Sequence, residues 1–126
     1  MIKIDIFRHE RDTALQVAAG SVIFREGDEA HSMYVILEGT TRASVQGNPL
    51  GEMGAGEAFG EMALIGGRLR SATVTAVTDC ALAEIGEKRF LFLVQQHPRF
   101  ALQVMRTLVD RLVLRTTPGS TGLPST

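Results

Sequence analysis

Glu61 and Arg70 stand nine positions apart in a glycine-punctuated stretch, GAGEAFGEMALIGGRLRSATV, that runs from Gly54 to Val74. Gly54, Gly56 and Gly60 allow the backbone to approach a bound group closely. Glu61–Ile65 consists of good helix formers and meets a natural stop at Gly66-Gly67. The first N–H groups of such a helix have no internal partners. They form a ready site for an anion, phosphate or carboxylate above all. Arg70 follows at the start of an expected strand, with a planar fork of donors suited to two phosphate oxygens. Each residue also has a plain structural role open to it. Glu61 can simply favour the helix dipole, and Arg70 can be a solvated strand-start residue or a partner of Glu61.

Little else in the chain offers chemistry. His9, His31 and His97 are far apart and form no H-x-H or H-E-x-x-H pattern, so surface or turn positions are expected rather than metal binding. Cys80, in the expected strand Cys80–Ile85, lacks a basic neighbour and reads as a small buried hydrophobe. Met33, Met53, Met62 and Met105 read as core fillers. No Ser, His and acid stand at a recognisable catalytic spacing, and no enzymatic activity is expected. A metal-dependent, cupin-like enzyme would require bound metal.

These residues must be positioned by a chain of 126 residues, the length of one domain. Its 44% apolar and 21% charged content is that of a globular protein. A net charge of −1 gives no general attraction to nucleic acid or acidic membrane. One cysteine excludes an intrachain disulfide framework. No apolar run approaches the roughly 20 residues that cross a bilayer. Lys3, Asp5 and Arg8 interrupt the start before a signal sequence can build. The expected location is the cytoplasm.

Eleven of the thirteen glycines fall between Gly20 and Gly86. Short strands punctuated in this way indicate a sandwich or barrel. Ser32–Glu38 is apolar on both faces, and Arg70–Val77 is rich in β-branched residues. Glu26-Gly27-Asp28-Glu29 and Gln46-Gly47-Asn48-Pro49 read as turns. After Gly86 the pattern turns helical over Glu87–Gln96, breaks at Pro98 and resumes. There Phe100, Ala101, Val104, Met105, Leu108, Val109 and Leu112 fall on one face. Arg111 and Arg115 sit where cations offset the helix dipole. Met1–Phe7 alternates like a strand, and 116–126 (TTPGSTGLPST) is expected to be disordered.

Taken together, Phe59-Gly60-Glu61-Met62-Ala63-Leu64-Ile65 and, four residues on, Arg70-Ser71-Ala72-Thr73-Val74 resemble the phosphate-binding cassette of the cyclic nucleotide-binding domain. This module is shared by catabolite activator proteins, protein kinase A regulatory subunits and cyclic nucleotide-gated channels. Gly20–Asp28 and Tyr34–Gly39 are similar to that family's early strands and turn, so the resemblance spans about residues 20–115.

It implies an eight-stranded antiparallel β-roll, jelly-roll-like, with a short cassette helix and C-terminal helices, forming a single domain over 1–115. It implies that Arg70 grips the exocyclic phosphate oxygens and that Glu61 accepts the ribose 2′-hydroxyl. Gly60 and Ala63 would turn backbone N–H groups to phosphate and sugar, and Met62, Ser71 and Ala72 complete the ligand-contacting set. The ligand would be cAMP or cGMP, with no other cofactor and no metal. Serine at position 71 fits both bases.

The chain departs from the pattern at Leu69, where the family often has proline, and at its start, where the helix preceding the first strand is shortened or replaced. No residue that caps the base is carried over. The expected function is a regulatory sensor that reports occupancy through its C-terminal helix to a partner protein or a second copy. The competing expectation is a β-roll that has lost its ligand and serves as a protein-interaction module.

Overall fold

Ser32–Glu38 (β3) buries both faces, so it must lie between two apolar layers. In the computed structural model, which describes residues 6–7, 13–67 and 69–116, it does so. Met33, Val35 and Leu37 join the helices in one cluster, whereas Tyr34 and Ile36 face the second sheet. The first sheet places Leu15–Val17 (β1), Cys80–Gly86 (β8), β3 and Ala58–Phe59 (β6) in that order. The second orders Val22–Phe24 (β2), Thr73–Ala76 (β7), Thr41–Val45 (β4) and Asn48–Met53 (β5). All the pairings between these strands are antiparallel. The roll expected from sequence is therefore present, with eight strands among the described residues.

Local chemistry accounts for the turns. Gln46 and Gly47 have φ of 51° and 82°, the paired positive values of a two-residue hairpin turn between β4 and β5. Asn48 and Pro49, expected in that turn, instead open β5. Proline is tolerated there because β5 is an edge strand and needs no donor on its open side. Cys80 is buried, with its sulfur directed to the carbonyls of Thr40 and Thr78.

Glu87–Gln96 (α2) and Pro98–Thr116 (α3) meet at an elbow on His97, whose N–H donates to Leu93 O at 2.7 Å. Leu93, Phe100 and Val104 bury against Phe7, Met33 and Val35 on the outer face of the first sheet. Phe100 makes edge contacts with Phe7 and Phe90, at 6.2 and 5.8 Å between ring centres. The single apolar face expected for α3 divides in two. Phe100 and Val104 are core, but Met105 and Val109 are 56% and 55% exposed and align with Leu102, 50% exposed. Met105 is thus not a core filler, because the sheet covers only one side of this helix.

Ile6 and Phe7 form a turn of 3₁₀ helix rather than the end of a strand; the rest of that expected strand, and positions 117–126 of the expected tail, lie outside the described residues.

Candidate functional site

Phe59, wholly buried at the end of β6, stacks on Tyr34 at 5.2 Å and fixes the entry to the cassette. Gly60 then turns the chain with a φ of +82°, and Glu61–Gly66 (α1) begins. A Cβ at position 60 would lie 2.6 Å from Arg70 Nη1, so any side chain there is strained by the backbone conformation and displaces the guanidinium. Gly60 O accepts the N–H of Leu64 at 3.4 Å and Arg70 Nη1 at 3.2 Å. The cassette helix and the arginine are thereby tied to one carbonyl.

Arg70 precedes β7, which starts only at Thr73, so the strand expected from position 70 is three residues shorter at its start. The turn between β2 and β3 holds its main chain. Arg70 N donates to Asp28 O at 2.9 Å, and Gly27 N donates to Arg70 O at 2.8 Å. The guanidinium is 6% exposed, lies 4.0 Å from the centre of the Phe24 ring, and donates Nη2 to Ser32 O at 2.7 Å. A cation over an aromatic face gains from the ring quadrupole, more so when desolvated. Burial pulls its pKa below the usual arginine value, and Tyr34, Asp28 and Glu84 oppose that shift. Its Nε is buried without a partner.

Glu61, the first residue of α1, is 0% exposed. One carboxylate oxygen, Oε1, pairs with Arg111 Nη1 from α3, and the other, Oε2, is buried without a partner. Arg111 Nη2 donates to Ala58 O at 2.9 Å and lies against Met53 Sδ. Burial lowers the Arg111 pKa to about 10, with Glu57 opposing, so it remains a cation at neutral pH.

Ser71 is exposed and Ala72 is buried just ahead of β7; Met62 is half-buried in α1, and Ala63 follows it there. Of the expected ligand residues, Arg70 is tied to Gly60 O and Glu61 follows Gly60 directly.

Arg111 does lie near the C-terminal end of α3, as expected, but its pairing with Glu61 is a role that sequence reasoning missed. It lies fifty positions from Glu61, beyond any local motif. Its signal was faint: it follows Phe100, Val104 and Leu108 along the inward stripe of α3, where a cation needs a buried partner.

His31 and His97 are exposed, and no cluster of metal-ligating side chains occurs among the described residues.

The fold agrees with comparison to known proteins. The sequence profile of the cyclic nucleotide-binding domain matches residues 14–97. The chain belongs to this family. It is 36% identical over 103 residues to a lysophospholipase of Aspergillus terreus, covering 78% of this chain but 7% of the relative. It is 40% identical over 95 residues to a cyclic nucleotide-gated potassium channel of Rhizobium etli, covering 75% of this chain and 26% of the channel. The chain therefore spans a small part of the larger enzymes and channels it matches. Among solved structures, the Thermus thermophilus catabolite activator protein superposes with a TM-score of 0.71 at 27% identity, over 87% of this chain and 55% of that one. The EAL enzyme Bd1971 in its cGMP-bound form gives 0.61 at 34% identity, over 79% and 27%.

Proposed function

We propose that this domain binds a cyclic mononucleotide, cAMP or cGMP, and reports occupancy through α3 as a regulatory module. One observation carries the reading: two wholly buried polar atoms, Glu61 Oε2 and Arg70 Nε, lack partners on either side of Gly60. Buried polar groups are nearly always satisfied, so an unpaired acceptor and an unpaired donor here point to a ligand carrying a hydroxyl and an anion. Glu61 fits the ribose hydroxyl, and Arg70 with the first turn of α1 fits the phosphate.

Charge supports the same assignment. Arg70 and Arg111 carry two positive charges, and Glu61 with a cyclic phosphate diester carries two negative ones. The relatives' names favour this ligand class, since Bd1971 is known in both cGMP-bound and cAMP-bound forms.

Leu64 packs half-buried on the helical cluster that holds α3, which gives ligand ordering of the cassette a route to the helix. If saturating nucleotide leaves amide exchange across 98–115 unchanged, that relay fails. A partner or a second copy would meet the outer row of α3. Cyclic nucleotides and a reduced thiol both suit the cytoplasm.

Calorimetric titration of wild type and Arg70→Ala with cAMP and cGMP tests the assignment. Losing one charge-assisted bond of about 1.5–3 kcal/mol lowers affinity roughly tenfold or more. The second reading, an interaction module with a structural cassette, is favoured by the two Arg70 Nη groups already donating to protein carbonyls. It predicts a flat titration by a well-folded protein.

A further inference from the structure

The first residues of β3 hold the tip of Arg70. Both Nη groups donate to main-chain carbonyls, Nη1 to Gly60 O at 3.2 Å and Nη2 to Ser32 O at 2.7 Å. The guanidinium carbon lies 4.0 Å from the centre of the Phe24 ring and 5.7 Å from that of Tyr34. A guanidinium is a rigid planar fork, so two Nη bonds and two rings fix its plane and with it the direction of Nε. Nε is the buried donor left without a partner.

Ser32 and Tyr34, which supply one of those carbonyls and one of those rings, share a second partner. Two positions apart on β3, they face the same side of the sheet. Glu84 of β8 stands opposite Tyr34 in the antiparallel register. Its Oε2 accepts the Tyr34 hydroxyl at 2.9 Å and the Ser32 hydroxyl at 3.2 Å. Ser32 and Tyr34 are 9% and 7% exposed, whereas Glu84 is exposed at the end of the inward row that Cys80 and Leu82 begin. An exposed carboxylate buries little apolar surface, yet here a single oxygen joins the two residues on which the guanidinium rests.

Extending the nucleotide-binding reading, on which this rests, we propose that Glu84 is a positioning residue for the phosphate site. Through Ser32 and Tyr34 it sets the plane of the Arg70 guanidinium and aims Nε at the anion, without touching nucleotide itself. Without the shared oxygen, the Ser32 carbonyl and the Tyr34 ring move independently, and the fork turns about its remaining bond to Gly60 O. Binding then bears the added cost of ordering the arginine.

Glu84→Leu removes the acceptor, and calorimetry is expected to show about fivefold weaker binding of cAMP or cGMP. Glu84→Gln keeps a carbonyl oxygen at the same reach and is expected to bind as wild type. Tyr34→Phe, which breaks one arm alone, falls between them. In an Arg70→Lys background the Glu84→Leu loss is expected to vanish, because residues that act as one unit are not additive. The Nε–H resonance of Arg70, assigned by its disappearance in Arg70→Lys, reports the same hold without ligand. Its relaxation is expected to match rigid backbone in wild type and Glu84→Gln, and a mobile side chain in Glu84→Leu.

Wild-type affinity in Glu84→Leu overturns the proposal, as does an equal loss in Glu84→Gln or a loss that persists in the Arg70→Lys background. Should Glu84→Leu not fold, Tyr34→Phe carries the same comparisons. Where Arg70→Lys binds too weakly to titrate, relaxation decides in its place, a loosened Nε–H upholding the hold and an unchanged one refuting it. If wild type binds neither nucleotide, the ligand assignment fails, and the same resonance decides whether Glu84 positions Arg70.

Discussion

Gly60 concentrates the demands of the site in one residue. Its φ of +82° disfavours any side chain, and the space a Cβ needs is held by Arg70 Nη1 at 2.6 Å. Gly60→Ala therefore forces either the backbone or the guanidinium to move. The backbone cost is of order 1–2 kcal/mol, and displacement of Arg70 adds to it. Chemical denaturation is expected to register a loss of about that size, and titration with cAMP or cGMP a fall in affinity. A variant with native stability and affinity would show that Arg70 is not held as described. The motif Phe59-Gly60-Glu61 and the later Arg70 were legible because the cassette is local in sequence. Arg111 was not, since its partner is fifty positions away and only the docking of α3 brings them together.

At the scale of elements, strands read more accurately than helix faces. β3 and β8 matched expectation because apolar runs bounded by glycine leave little choice once both faces are buried. The start of β7 slipped from position 70 to Thr73, since alternation in sequence takes no account of the turn that clamps the Arg70 backbone. In α3 the apolar stripe predicts one face, yet the fold divides it into a core row and an outer row of Leu102, Met105 and Val109. Alternating three- and four-residue spacings are those of a narrow coiled-coil seam. If the outer row joins two copies, Met105→Glu shifts sedimentation from dimer to monomer while the circular dichroism of the fold is kept. A protein that is monomeric at every concentration assigns the row to a different partner.

At the scale of the molecule, the cassette sits where both apolar clusters meet, so ligand binding and global stability are linked. A ligand that binds only the folded state at 100 times its Kd adds about 2.7 kcal/mol to unfolding. Thermal melts with cAMP and with cGMP should rise accordingly, and the larger rise identifies the preferred base. A melt that ignores both nucleotides favours the interaction module. The sign of the ligand's effect on α3 is a separate matter, read from exchange rather than from melting.

Cys80 is the chain's sole thiol, and it is sealed between strands with its sulfur committed to two carbonyls. Fluorescent maleimides should therefore leave the wild-type surface dark. A cysteine introduced at Val109, an exposed position of α3, would become the single labelling point, and a dye there would report movement of that helix in real time without dismantling the native protein.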